Sequence, residues 1–294
     1  MVARYAGLHR ADGSLVLELS SLDVDNDPYT VSDVDLGSLA VREEVEDDPT
    51  GSGTNDSSAY TSGSGVSIPM TIVPARGKPA HYWYELLRQA MLPAHRYYLH
   101  LGIDAWEERR RIAVVGREIP RLLGNRRSIG LTAQWKSPDG YLEDVVEQTA
   151  WLRPISTSTR GLAAPVRAPV FAPPADAVDQ PPLEVGGGAP AWWTADIYGD
   201  ARGAPTLTHA DGWQLVGKPS LTIAPGHFVR VVPRGPTGPR VLYDGDPAQD
   251  LYGLFDWSRS SLRPLSPGRN PLLLTANGYS TGFGAQVRWR RTWP

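Results

Sequence analysis

Leu15, Leu17 and Leu19 alternate with Val16 and Glu18, a period of two that predicts a half-buried strand. The same alternation runs through Val66, Ile68, Met70 and Ile72, through Tyr97, Leu99, Leu101 and Ile103, and through Ile129, Leu131, Ala133 and Trp135. Pro69 falls on the polar face of its run. A proline donates nothing to a ladder, so this strand is expected at an edge or at a bulge. Between the strands the period changes. Trp83, Leu86, Leu87, Ala90 and Met91 recur at the spacing of one helical face, with Pro79 near the start and Pro93 ending it. That stripe is read as core packing.

Two stretches break the periodicity. Residues 50–65 (TGSGTNDSSAYTSGSG) are too poor in apolar side chains to fold alone, and read as a long flexible hairpin tip or arm. Residues 155–190 are rich in Pro and Ala and end near Gly186-Gly187-Gly188, which suits an extended linker. Beyond it, short strands are predicted at 192–198, 220–223, 227–232, 240–243, 272–275 and 285–289. Pro225-Gly226, Asp244-Gly245 and Pro267-Gly268 supply turns between them. Closely spaced short strands predict an all-β sandwich. No repeat at a solenoid period is present.

Composition agrees: 30 Gly, 27 Pro, 10 Trp and 12 Tyr in 294 residues favour many short strands over long helices. With no Cys there is neither a disulfide framework nor a thiolate metal site. No run of 18 apolar residues occurs and the N-terminus lacks the layout of a signal peptide, so a soluble chain outside the general secretory route is expected. The net charge of −3 conceals an asymmetry. Residues 1–154 carry 16 basic against 22 acidic side chains, and residues 155–294 carry 13 against 10. No basic stripe that would track a nucleic-acid backbone is visible.

Several motifs imitate chemistry without its context. Gly278-Tyr279-Ser280-Thr281-Gly282 satisfies G-x-S-x-G, yet Ser280 is followed by no Asp, Glu or His. Gly282 and Gly284 lead directly into an alternating strand, so a hairpin turn is expected in place of a strand-to-helix elbow. Gly212 to Lys218 mimics a phosphate loop, but Pro219 stands where the metal-binding hydroxyl belongs. Asp23, Asp25 and Asp27 begin like a calcium loop. Pro28 then takes the position of the required Gly, and Val34 that of the bidentate Glu. The six His show no metal-ligand spacing. Asp244 and Asp246 can flank a glycosidic bond only if the fold brings them to a cleft; a solvated turn is the simpler reading. Trp and Tyr of the second half can stack on sugars, although most of Trp192, Trp193, Trp213, Trp257, Trp289 and Trp293 are assigned to core or interface. No catalytic, cofactor or metal site is expected.

The order of parts carries more information. Gly188-Ala-Pro-Ala-Trp-Trp-Thr-Ala-Asp-Ile-Tyr-Gly199, Ala204-Pro205-Thr-Leu-Thr208, Trp257, Leu265-Ser-Pro-Gly-Arg-Asn270 and the closing Val287-Arg-Trp-Arg-Arg-Thr-Trp293 resemble the second domain of the distal tail proteins of long-tailed (siphovirus) bacteriophages. The first half, with paired strands, an arm, one helix and a strand running into Ser137-Pro-Asp-Gly140, resembles that family's belt domain. The linker is less aromatic than the family's. The resemblance implies a mainly β protein with a belt domain over 1–154 (a β-sandwich or split barrel with one helix, like a tail-tube protein), a linker over 155–190 and a galectin-like, jelly-roll β-sandwich over 191–294. It implies a structural virion protein, not an enzyme. Such a protein is made in the bacterial host cytoplasm and forms a homo-hexameric ring at the tail tip between the tail tube protein and the baseplate hub. Receptor-binding proteins or host glycans are further partners, DNA is passing cargo, and no membrane is involved. The alternative is a carbohydrate-binding β-sandwich module with an appended domain.

Residues 22–49 hold ten acidic side chains and one basic one, Arg42. If the belt encloses a channel, Asp23, Asp25, Asp27, Asp33, Asp35, Glu43, Glu44, Glu46, Asp47 and Asp48 are the candidates to face it. A wall that pairs with phosphates gains affinity through counterion release and would hold the polymer back. With no base or acid after Ser280, the Ser280→Ala variant is expected to match the parent in every assay, and a fluorophosphonate probe should leave Ser280 unlabelled; covalent labelling would reverse this reading.

Overall fold

The computed structural model describes residues 3–20, 27–31, 34–36, 40–42, 60–62, 65–92, 95–103, 106, 108–116, 127–137, 140–154, 180–199, 201–235, 238–279 and 282–294. It is mainly β, with one α-helix among the described residues, and forms two compact units: 1–145 with 293–294, and 146–292.

The first unit is a nearly closed, barrel-like antiparallel sheet. Its strands run in the order Leu15–Ser20, Ala3–His9, Arg96–Ile103, Arg110–Gly116, Ile129–Lys136, Gly65–Ile72 and Tyr29–Val31. Each period-two run of the sequence is a strand here, and its apolar set mostly points inward; in the first run only Leu19 is buried, while Leu15 is exposed. Val66, Ile68, Met70 and Ile72 are all buried, as are Leu131, Ala133 and Trp135 on the neighbouring strand.

Pro69 sits in an interior strand, with partners on both sides, so the bulge holds and the edge does not. Val31 pairs with Met70 and Asp35 with Ser67, leaving four steps along one strand against three along the other. This one-residue shift in register spans Pro69, whose missing N–H cannot serve a ladder.

Helix Ala80–Ala90 packs on this sheet through Ala80, Tyr84, Leu87 and Ala90, with Met91 buried at its end. The buried face is rotated slightly from the predicted stripe: Tyr84 lies under the helix while Trp83 and Leu86 sit at its margin. Trp83 is the bulkier side chain, but its margin position lets Nε1 donate to the Ala75 carbonyl at 3.2 Å. Its own carbonyl accepts from the Tyr29 hydroxyl at 2.7 Å. An indole N–H or phenol taken out of water usually finds such a partner. Burial also pushes the Tyr29 phenol well above its ordinary pKa. Gly116 allows the end of the helix to dock, because a Cβ there would collide with the Met91 carbonyl.

Residues 40–42 and 60–62 form an antiparallel two-stranded ladder, which agrees with a hairpin at the arm. Residues 43–59 lie outside the described set.

The second unit is a sandwich. One sheet is ordered Gln148–Leu152, Gly284–Trp289, Trp193–Tyr198, Phe228–Gly235, Gly238–Tyr243, all antiparallel; the other is Gln214–Val216, Thr206–His209, Leu272–Thr275. Leu152, Trp193, Ala195, Ile197, Val229, Val231, Ala285 and Val287 from the first sheet meet Leu207, Leu215, Leu272 and Leu274 from the second in one core. Gln148–Leu152, which the sequence reading places at the end of the first domain, belongs to this unit because it is hydrogen-bonded along its length to Gly284–Trp289. At the other end of the assigned linker, Leu183–Val185 pairs with Gly268–Asn270. Residues 155–179 lie outside the described set.

The G-x-S-x-G segment is not a hairpin. Leu272–Thr275 before it and Gly284–Trp289 after it lie in different sheets, so the segment is a connection across the sandwich. Ser280 and Thr281 themselves lie outside the described residues. Likewise Gly212 to Lys218 contains the strand Gln214–Val216, and the Lys218 ammonium donates to the Gly253 carbonyl at 2.8 Å.

The Leu265 to Asn270 stretch has a physical explanation. Asn270 is fully buried; its Oδ1 accepts from the Ser266 N–H at 3.1 Å, and its Nδ2 donates to the carbonyls of Ser266 and Gly268 at 2.7 and 2.9 Å. The same Oδ1 lies 3.2 Å from His209 Nε2, while His209 Nδ1 accepts from the Asp211 N–H at 3.0 Å. That pattern calls for a neutral imidazole protonated on Nε2. The His209 ring then stacks on Trp213 at 5.0 Å, and Trp213 stacks on Trp193 at 5.5 Å. Asn270→Ala would leave buried backbone and imidazole groups without partners, each at a cost of about 1–3 kcal/mol. Urea unfolding of this variant should show a lower midpoint, whereas an unchanged midpoint would mean that the turn stands without its asparagine.

Candidate functional site

Of the ten acidic side chains expected to face a channel, only Asp27 and Asp35 fall within the described residues. Asp35 is exposed beside the bulge. Asp27 is 8% exposed, and its carboxylate lies 3.7 Å from the Arg76 guanidinium. Burial beside a cation removes Asp27 from the set of free surface charges. It also gives that carboxylate an organic counter-ion in place of the metal that its spacing imitates. Asp23, Asp25, Asp33, Glu43, Glu44, Glu46, Asp47 and Asp48 lie outside the described residues. No group of three or more metal-ligating side chains occurs among the described residues, and no helix among them is long and apolar enough to cross a membrane.

The polar groups of the second unit gather on the outer face of its five-stranded sheet. Alternation places Ala285, Val287 and Trp289 in the core and Gln286 and Arg288 outside. Asp196 lies on the same outer face, opposite Arg230 on one neighbour and Gln286 on the other. Its carboxylate is 1% exposed and takes three charge-assisted bonds: from Arg230 Nε at 2.7 Å and Nη2 at 2.8 Å, and from Arg288 Nη2 at 2.6 Å. The bond to Asp196 raises the pKa of Arg230 further. The bidentate fork is the strong form of this interaction. It joins three adjacent strands and leaves no carboxylate oxygen idle for acid–base work.

Asp244 and Asp246, the sequence candidates for a carboxylate pair, are turn residues. Asp244 accepts from His227 Nδ1 at 2.6 Å and from the Phe228 N–H at 2.9 Å. These bonds hold its carboxyl below the usual range, the contact with His227 contributing most. Their contribution is present above the carboxylate's ordinary pKa and is lost as the pH falls through the depressed one. Asp246 caps the following turn through the Ala248 N–H and the Gln249 side chain.

Sequence reasoning missed Trp151, which stands on this outer face next to Tyr198. The signal was weak. Gln148 to Leu152 reads as two polar residues followed by three apolar ones, a short β-compatible run at the margin of the linker whose exposed and buried faces only the pairing separates.

These features define a class: a mainly β chain of two units, a barrel-like sheet bearing one helix followed by a β-sandwich. Three solved structures share that fold along nearly the whole chain. The SPP1 Dit (gp 19.1) protein, described as a paradigm of hub adsorption apparatus in phages infecting Gram-positive bacteria, matches with a TM-score of 0.61 at 11% identity, over 98% of this chain and 99% of that one. A chain of the phage P2 baseplate in its activated conformation with Ca matches with a TM-score of 0.53 at 12% identity, over 99% and 98%. The corresponding baseplate structure with Sr gives a TM-score of 0.51 at 9% identity, over 99% and 98%. At such identities the likeness is one of fold. No protein-family model and no curated protein matches the sequence.

Removing the buried carboxylate would leave two guanidinium groups facing each other without a counter-charge. Complete burial of such a broken pair costs about 3–5 kcal/mol, and the partial exposure of both arginines reduces this to about 2–4 kcal/mol. Asp196→Ala should therefore unfold the chain at distinctly lower urea, with Arg288→Met milder because Arg230 keeps its fork; equal stability of the Asp196 variant and the parent would show that the triad contributes nothing.

Proposed function

We propose that the chain is a distal tail protein: a structural component of a phage tail tip that assembles as a homo-hexameric ring and joins the tail tube to the baseplate hub. The observation that carries this reading is the end-to-end correspondence with SPP1 Dit, in which both units align within one chain over 98% of its length. A shared single domain would be weak support, because common folds host unrelated functions. Two units retained together in one order narrow the choice.

On this reading the first unit forms the ring, and the protein is non-enzymatic and resides in the virion. The polar side chains fit that role. Asp196, Asp244, Asp246 and Asn270 are all engaged in internal bonds that fix strands and turns. The acidic stretch 22–49 would line the channel. Asp27 is excluded by its burial against Arg76, so Asp23, Asp25, Asp33, Asp35, Glu43, Glu44, Glu46, Asp47 and Asp48 remain. A negative wall repels phosphates over about 8–10 Å at physiological salt.

Light scattering on the full-length protein should give six times 32.0 kDa, about 192 kDa, at concentrations where a weak ring is populated. Changing four or more of the remaining nine carboxylates to Lys should leave that mass unaltered and slow DNA ejection from particles carrying the variant. A monomer at every concentration would overturn the ring, and unimpaired ejection would overturn the lumen assignment alone.

A further inference from the structure

The outer face of the five-stranded sheet ends in a cleft of about 260 Å³ lined by Trp151, Tyr198, Gly199, Pro225, Gly226, His227 and Gly282. This is below the about 300–1,000 Å³ of pockets for drug-sized ligands and suits a single small ring.

Its wall is an aromatic surface held open. Trp151 is 48% exposed on a strand whose alternate residues enter the core. An exposed indole is normally free to swing; this one is pinned from two sides. Beneath it lies Gly284, and a Cβ there would collide with the indole, lying 2.8 Å from Cε2 and 3.0 Å from Nε1. The glycine thus lets the ring lie flat on the backbone, the device by which an aromatic side chain covers a strand glycine. Beside it, the Tyr198 ring packs at 5.4 Å, and Tyr198 is backed by Phe228 at 5.2 Å.

The polar side of the cleft is equally fixed. His227 gives Nδ1 to Asp244, which sets the ring orientation and leaves Nε2 as the second hydrogen-bonding atom of a cleft-lining residue. The imidazole also stacks on Tyr243 at 5.2 Å. Gly226 and Gly282 bring backbone to the rim with open space where a side chain would stand, while Gly199 lets the backbone of Gly282 and Phe283 approach it closely.

Charge selects the ligand further. Among the described residues that line the cleft there is no Lys, Arg, Asp or Glu. Arg230 and Arg288, on the same face of the sheet, are both committed to Asp196. A carboxylated or phosphorylated ligand would find no cationic partner among the lining residues, and a purely apolar one would waste the imidazole and the backbone groups. A small ring with one apolar C–H face and hydroxyls around its edge matches all three elements: a rigid π-surface, a fixed imidazole and open backbone.

We propose that this cleft is a binding site for a neutral pyranose, stacked on Trp151 with a ring hydroxyl bonded to His227. The assignment does not rest on the tail reading, since every residue in it belongs to the second unit and no assembly is needed to form it. With one platform and one ring in contact, affinity should be weak, about 1–10 mM for a monosaccharide of some dozen heavy atoms.

Saturation-transfer NMR on the full-length protein tests this directly. The probes are the methyl pyranosides of glucose, galactose and mannose, with N-acetylglucosamine, against glucuronate and N-acetylneuraminate. At least one neutral sugar should receive saturation on its ring C–H protons and titrate in the stated range, with the two acidic sugars weaker. Trp151→Ala should weaken binding at least tenfold, Trp151→Phe should retain part of it, and His227→Ala should weaken it several-fold. Leu273→Ala, an exposed position on the other sheet, should have no effect. Circular dichroism establishes that each variant is folded. Absence of saturation for every neutral sugar, or binding indifferent to Trp151→Ala, overturns the site. If Trp151→Ala instead abolishes a change in mass seen by light scattering while no sugar binds, the face is a protein contact and the proposal fails.

Discussion

The second unit depends on one pairing: Gly284–Trp289 must insert between Gln148–Leu152 and Trp193–Tyr198. Until it does, the strand that precedes residue 155 has no partner in this sheet, and the core lacks Ala285, Val287 and Trp289. Closing so long a loop costs chain entropy that grows only slowly with length, about 0.6 kcal/mol for each doubling. Two ladders and a fully buried strand face outweigh that cost, at about 25 cal/mol per Å² of apolar surface removed from water. The same insertion carries Arg288 to Asp196 and lays Gly284 under Trp151. Core, charge triad and cleft are thus consequences of a single strand in register. A slip of one residue would turn Arg288 inward and Val287 out.

The parts of this architecture that sequence revealed are those with local causes. Period-two runs located the strands around Val66, Leu99, Leu131 and Val287, because alternation is itself the signature of a sheet with one buried face. The helix was legible by its spacing, although its face shifted toward Tyr84, since a hydrogen-bonding indole tolerates the margin of a core better than its size suggests. The limits were set by non-local causes. No feature of Gln148 to Leu152 states that its partner lies more than a hundred residues away. Nor does G-x-S-x-G reveal that its flanking strands belong to opposite sheets. Pro69 is intermediate: its missing donor announced a defect in pairing, and only the offset between Val31 and Asp35 shows that a bulge absorbs it.

The polar residues divide by what their partners leave over. Asp196 spends both oxygens on guanidinium groups, and Asn270 spends its amide on the turn that surrounds it. Groups satisfied in this way specify a structure and are poor at chemistry, because a reacting site needs a donor or acceptor held ready for a ligand. His227 is different: one nitrogen is fixed by Asp244, and the ring lines a cleft. Trp151 is the apolar counterpart, a large side chain whose position is determined while half its surface faces solvent.

This contrast bears on what a β-sandwich can carry without loss. Adding a binding function to a sheet usually disturbs the packing that holds it, because the binding side chain must be rigid and also uncovered. Here the rigidity of Trp151 comes from beneath, through a glycine in the neighbouring strand, and from the side, through Tyr198. Neither support uses the core face, where Leu152 and Ala150 of the same strand make their contacts. Since the two faces of a strand are independent in period two, the outer face can change its aromatic and polar groups while the inner face keeps the sandwich closed. The one shared position is Gly284: any side chain there would displace the indole without touching the core, which makes it the point where fold and cleft are coupled most simply.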